Sequence, residues 1–264
     1  MSRPADLVAR RSAPGLALAD DAEVVARACF AMADRFARGG TLLAFGTGPS
    51  ATDAQHIAVE FVHPVIVGKR ALPALSLATD VATVTGVARA VGFDEVFAHQ
   101  VAQLGGPLDI ALGLSARGDD RAVARGLEVA HERGLLTVAL TGGDDGRPMS
   151  VDGAVDHCLH VPSDDPLVVK EVHVTAYHVL WELVHVYFEQ PGLLGGHETD
   201  CGSDVCITCS DQAVDVVVVE LLGDQLARVD TGSGIEEVSV ALVDAAVGDH
   251  VLVHAGEAIA VVGR

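Results

Sequence analysis

Basic residues are scarce in this chain: 17 Lys and Arg stand against 37 Asp and Glu in 264 residues, a formal net charge of −20. Unassisted binding to nucleic acid or to an anionic membrane surface needs clustered cations at the contact, so neither is expected. The deficit is steepest from Asp200 onward, where twelve acidic residues face two basic ones. A module of that density suits a partner with a basic face, or simply serves solubility. Long apolar runs are missing too. No uncharged apolar stretch reaches the roughly 18 residues of a membrane span, and the start, S-R-P-A-D-L-V-A-R-R, lacks the apolar centre of a secretory signal. A cytoplasmic protein is expected. The cysteines are few and odd in number, five, with three of them between Cys201 and Cys209. That pattern fits a reducing compartment with metal or thiol chemistry better than a disulfide framework.

What is present is apolar substance, 50% of the residues, enough for well-buried cores in one large or two modest domains. After an Ala-rich helical stretch at 19–38, short apolar runs alternate with helical segments. The strand candidates are Thr41–Phe45, Ala74–Leu77, Asp109–Leu114, Leu136–Thr141 and His157–Val161. Their length and their Gly, Ser and Asp boundaries predict βαβ units and a doubly wound parallel sheet covered on both faces. A long helix is expected from Pro166 to Glu189. The run P-G-L-L-G-G-H-E-T-D-C-G-S-D then reads as a linker. Beyond it the period changes to two: V-D-V-V-V-V-E-L-L, L-A-R-V-D, E-E-V-S-V-A-L-V and D-H-V-L-V-H-A, separated by G-D, G-S-G and V-G-D, describe a small all-β, OB-like barrel. The expected organisation is a first domain at 1–191, a linker at 192–205 and a barrel at 206–264.

In the first domain, G-T-G-P-S-A-T-D-A-Q-H-I-A-V-E (Gly46–Glu60) follows a strand and opens a helix. Backbone amides and hydroxyls at such a helix start make an anion site. Together with L-S-L-A-T-D (75–80), F-D-E-V-F-A-H-Q-V (93–101), L-T-G-G-D-D-G (140–146) and V-P-S-D-D-P-L-V-V-K-E-V-H (161–173), this resembles the sugar isomerase (SIS) fold over about residues 15–190. Within that fold it resembles the phosphoheptose isomerases and the related DnaA initiator-associating protein. The resemblance implies a sugar phosphate held by Gly46, Thr47, Gly48, Ser50 and Ser115, and Glu60 with His178 as the acid/base pair. It also implies His56, Glu60 and His178 as metal ligands, with zinc as a candidate ion, and assembly as a homo-oligomer. Three positions depart from the pattern. Lys170 stands where the family has a glutamine ligand and could pair with Glu60 or meet a substrate anion. S-A-R-G-D-D (115–120) replaces a Ser/Thr-rich phosphate loop, adding two carboxylates and Arg117, and A-R-A (88–90) replaces an Asn-Asp pair. His131, His173 and His185 read as structural.

In the tail, C-I-T-C-S-D (Cys206–Asp211) and V-S-V-A-L-V-D-A-A-V-G-D-H-V-L-V-H-A-G-E-A-I (Val238–Ile259) resemble the HypC/HupF chaperones of nickel-iron hydrogenase maturation. The resemblance implies Cys206 as the thiolate that holds an iron carrying cyanide and carbon monoxide, and His254 as its second donor. It implies as partners a HypD-like scaffold and the precursor of the hydrogenase large subunit. In the family that cysteine begins the chain, whereas Cys206 is internal. Thiolate is a soft ligand that suits low-valent iron. The spacing of His197, Cys201, Cys206 and Cys209 leaves a structural zinc site open as well, and so does a set of plain free thiols. The expected function is an accessory protein of hydrogenase maturation, its SIS domain binding a sugar phosphate or oligomerising. The alternative is an active sedoheptulose 7-phosphate isomerase with a regulatory tail.

Overall fold

The computed structural model describes residues 3–64, 66, 68–143, 153–189, 194, 214–223, 225–232, 234–254 and 257–263. Two compact units divide the chain, residues 1–64 with 71–197 and residues 65–70 with 198–264.

The first unit opens with helices α1 (Pro4–Ala9), α2 (Ser12–Asp20) and α3 (Ala22–Ala37). It continues through β1 (Leu42–Gly46), α4 (Pro49–Val62), β2 (Ala74–Ser76), α5 (Val81–Ala90), α6 (Val96–Leu104) and β3 (Ile110–Ser115). It ends with α7 (Arg121–Glu132), β4 (Leu136–Gly142), β5 (His157–Val161) and α8 (Pro166–Glu189). All pairings are parallel, in the order β2-β1-β3-β4-β5. The three central strands are buried at every position, which is why L-L-A-F-G, I-A-L-G-L-S and L-T-V-A-L-T-G read as continuous apolar runs without alternation. Alternate residues still face opposite layers. Leu42, Ala44, Leu112, Val138 and Leu140 pack with α3, α4 and α8, while Leu43, Phe45, Ala111 and Ala139 pack with α5, α6 and α7. The Ala-rich stretch expected as one helix is broken at Asp21, between α2 and α3.

Helix starts are marked by aspartate. Asp80 accepts from Ala82 N and Thr83 N at the head of α5, and Asp120 from Ala122 N and Val123 N at the head of α7. Helix α4 begins differently: Gly48 stands at its N-cap with φ +52°, a backbone that a side chain would strain. Helix α8 buries a stripe at helical spacing, with Val169, His173, Tyr177, Leu180 and Val184 among its members.

His173 is 1% exposed and hydrogen-bonds the Thr141 carbonyl through Nε2 at 3.1 Å. Desolvation lowers its pKa below the ordinary 6.5, outweighing the carbonyl and the charge of Asp53, which raise it; Lys170 and His160 lower it further. The folded state thus resists a proton that the unfolded chain accepts. No penalty exists above pH 6.5, and stability is lost as pH falls from there toward the lowered folded value. The thermal midpoint of wild type should fall between pH 7 and 5, and His173→Asn should flatten that slope in calorimetry. Equal slopes would refute the assignment.

The second unit holds β6 (Val214–Gly223), β7 (Leu226–Asp230), β8 (Ile235–Ser239), β9 (His250–His254) and β10 (Glu257–Gly263), closed as a barrel in the order β10-β8-β7-β6-β9. Its core comes from alternate positions: Val216 and Val218, Ala227 and Val229, Val251 and Val253, with Val238 and Ala258. The expected strand E-E-V-S-V-A-L-V stops at Ser239, and β10 was not among the expected strands.

Candidate functional site

The sheet order places its switch point between β1 and β3, whose following helices, α4 and α7, cover opposite faces. Ligands of open α/β sheets gather outside the carboxyl ends of strands at such a point. Gly46, Thr47, Gly48 and Ser50 lie there, at the end of β1 and the start of α4. Ser115 ends β3; it is 2% exposed, and its Oγ accepts from Asp120 N at 3.3 Å. Thr47 Oγ1 donates to Asp120 Oδ2, bridging the two loops.

Further along α4, His56 and Glu60 share one face at i, i+4. His56 Nε2 lies 3.0 Å from Glu60 Oε1, and His178 Nε2, on α8, lies 4.0 Å from the same oxygen. The three ligand atoms fall within 4.8 Å of one another, a set able to hold a metal ion. Glu60 is the least exposed side chain of the three, at 13%, against 42% for His56 and 44% for His178. Its backbone is pinned as well, since Trp181 Nε1 donates to the Glu60 carbonyl at 2.9 Å.

Tyr177 completes the cluster, its Oη 2.7 Å from His56 Nδ1. Burial, reinforced by the negative charges of Asp53 and Glu60, raises the phenol above its ordinary range, so it stays protonated. A phenol that donates to Nδ1 leaves the proton of His56 on Nε2, directed at Glu60. The opposite tautomer, with Nδ1–H donating to the phenol oxygen, frees Nε2 for a metal.

Lys170 does not reach for Glu60. Its Nζ lies 2.5 Å from Asp53 Oδ1 and also donates to Pro49 O and Thr52 Oγ1, at 3.0 and 3.2 Å. The Asp53 side chain is 6% exposed, so this is a largely desolvated pair joining α4 to α8. It corrects the expectation that Lys170 pairs with Glu60: the cation is neutralised by Asp53. Of the histidines read as structural, His173 and His185 are buried against carbonyls and His131 is exposed.

In the barrel, His254 ends β9. Cys206, and with it His197, Cys201 and Cys209, lies outside the described residues, as does nearly all of the expected linker.

Four participants escaped the sequence reading: Asp53, Tyr177, Trp181 and Asp120 in its role as cap. Only Asp120 carried a local signal, an aspartate just before an amphipathic helical pattern.

Residues 16–142 match the SIS domain family and residues 212–264 the HupF/HypC family. The phosphoheptose isomerase of Solidesulfovibrio magneticus is 42% identical over 182 residues, covering 69% of this chain and 87% of that protein. The chain belongs to the phosphoheptose isomerase family. Among other members, the phosphoheptose isomerase of Thermodesulfovibrio yellowstonii is 43% identical over 154 residues, covering 58% of this chain and 75% of its own. Among solved phosphoheptose isomerases, that of Francisella tularensis superposes with a TM-score of 0.61 at 30% identity, over 70% of this chain and all of its own. GmhA of Neisseria gonorrhoeae superposes at 0.59 and 30%, over 69% and 98%. To the SIS fold of its family this chain adds a HupF/HypC barrel.

Proposed function

We propose that this protein serves the maturation of a nickel-iron hydrogenase in the cytoplasm, combining a sugar-isomerising SIS unit with a barrel that handles the iron intermediate. The observation that carries the reading is the joining of a HupF/HypC barrel to an SIS unit whose His56, Glu60 and His178 converge within 4.8 Å.

In the first unit the chemistry is proton transfer between the first two carbons of an open-chain sugar. Glu60 is the base, held between two imidazoles and pinned through its backbone. It takes the proton from the carbon beside the carbonyl and returns it to the neighbouring carbon. His178 moves the matching proton between the two oxygens. His56, oriented by Tyr177, fixes the Glu60 carboxylate. The donor set of two imidazoles and one carboxylate fits a divalent ion such as zinc, and the tie of Lys170 to Asp53 neutralises the nearby cation. An ion held by His56, Glu60 and His178 would polarise the sugar carbonyl. Assembly as a homo-oligomer, usual for SIS units, would display several barrels together.

For the barrel, Cys206 is the residue proposed to take the iron bearing cyanide and carbon monoxide, with His254 as second donor. A HypD-like scaffold and the hydrogenase large-subunit precursor are its partners. In cells that depend on this protein, Cys206→Ala should abolish hydrogenase maturation and capture of the precursor. It should leave the thermal midpoint of the purified chain nearly unchanged, as expected of a thiol that handles cargo rather than one that holds the fold together. Cys201→Ala should do little. Stoichiometric zinc, together with unfolding of the tail by Cys201, Cys206 and Cys209 variants alike, would instead establish a structural zinc site. Normal maturation by Cys206→Ala would remove the iron-handling role.

A further inference from the structure

The crevice between β1 and β3 is where an anionic end of a sugar would be held, at the heads of α4 and α7. Of the groups suited to hold it, the Thr47 hydroxyl and two amides at the head of α7 are already engaged by an anion of the chain itself. Asp120 Oδ1 accepts from the amides of Ala122 and Val123, two of the free donors in the first turn of α7, at 3.0 and 3.2 Å. Its other oxygen, Oδ2, accepts from the Thr47 hydroxyl at the mouth of α4. The Ser115 hydroxyl is turned to the Asp120 amide.

The nearby cations are engaged as well. Arg117 pairs with Asp119, Nη2 to Oδ2, at 3.2 Å, and Arg121 pairs with Asp94 at 3.3 Å. Lys170 is held by the nearly buried Asp53. A dianion entering this crevice would meet a fixed carboxylate at the anion position, with these three cations already paired. A sugar hydroxyl would meet an acceptor oriented to take its hydrogen bond, since a carboxylate oxygen has more than one lone pair and Asp120 Oδ2 uses one on Thr47.

We propose that Asp120 is the specificity-determining residue of this site: its carboxylate fills the anion position between β1 and β3, so the ligand presents a neutral hydroxyl there and is a sugar without a phosphate ester at that end. The proposal rests on the reading of the crevice as a sugar site and narrows its ligand class from sugar phosphates to unphosphorylated sugars. It implies that the preceding reaction is one that leaves or makes a free sugar terminus, such as phosphate-ester hydrolysis.

The test is a matched pair of ligands, sedoheptulose and sedoheptulose 7-phosphate, titrated calorimetrically into the full-length protein, with inorganic phosphate as competitor. Wild type should bind the free sugar more tightly than the ester, and phosphate should not compete. Asp120→Ser keeps a good helix cap and removes the charge. It should reverse the order, raising affinity for the ester on the order of tenfold to a thousandfold, the range spanned by one close like charge between exposed and screened-interior settings. Asp120→Asn, which keeps the cap and the Thr47 partner while losing the charge, should move in the same direction and covers the case in which the serine variant is poorly folded. If wild type prefers the ester and neither variant changes that preference, Asp120 does not set specificity, while the sugar-site reading stands. If neither ligand binds wild type or variants, the sugar-site reading itself fails and the proposal falls with it.

Discussion

Glu60→Gln should lower isomerisation by about 10²- to 10⁴-fold, the usual contribution of a positioned general base, while leaving sugar affinity within a few-fold of wild type. The amide occupies the same volume, and the Trp181 bond to the residue 60 carbonyl is untouched by the side chain. What is lost is the ability to accept a carbon-bound proton in the one place, among the described residues, where two imidazoles converge on a carboxylate. Deuterium incorporation from heavy water at the carbons beside the carbonyl, followed by NMR on the better of the two matched sugars, reads the step directly. Exchange in Glu60→Gln within a few-fold of wild type would place the base elsewhere.

Lys170→Gln should cost the first unit a large part of its stability. It installs the neutral residue that the resemblance to the isomerases leads one to expect there, and by that analogy should be harmless. The packing argues the opposite. Asp53 is nearly buried and its carboxylate faces the ammonium of Lys170, so removing the cation leaves a desolvated charge without its partner. Breaking a buried pair costs about 3–5 kcal/mol. The lysine is 34% exposed, so the lower end of that range applies. For a unit of this size about 3 kcal/mol corresponds to a fall of roughly 6–12 °C in thermal midpoint. Asp53→Asn combined with Lys170→Gln should recover most of it, because two contacting residues are not additive. A double variant no more stable than Lys170→Gln alone would mean that the pair does not set the cost.

The architecture of the first unit was legible because its signals are local. Fully buried strands announce themselves as short apolar runs, and Pro166–Glu189 shows its helical stripe with matching ends. His56 and Glu60 were legible for the same reason, one helix turn apart. The rest of the site depends on pairs that sequence separates by more than a hundred residues. Lys170 finds Asp53 across 117 positions, and Tyr177 finds His56 across 121. Nothing in the neighbourhood of Lys170 says that a cation beside an acidic site will be taken by a different carboxylate. Asp120 was visible as an added charge, but its two roles, helix cap and acceptor from Thr47, appear only once the β1 and β3 loops are side by side. In the barrel, β10 escaped because A-I-A-V-V is apolar throughout, without the in-and-out alternation that marked its neighbours, although Ala258 points inward and Val262 outward.

Closure of the barrel has a consequence for how it can meet another protein. Each of its five strands has a hydrogen-bonded neighbour on both sides, through the parallel contact of Glu257 with Ser239 that joins β10 to β8. Sheets that keep a free edge can recruit an extended peptide by adding it as one more strand, and can aggregate by the same route. Among the described residues β6, β7 and β9 are paired along both sides, which confines any such vacancy to the seam between β8 and β10, held by one residue pair. Away from that seam, recognition of an incoming chain has to be written in outward side chains and turns, where Val219, Leu221 and Leu222 project from β6 among acidic neighbours, so selectivity there is a matter of surface shape and charge rather than backbone pairing.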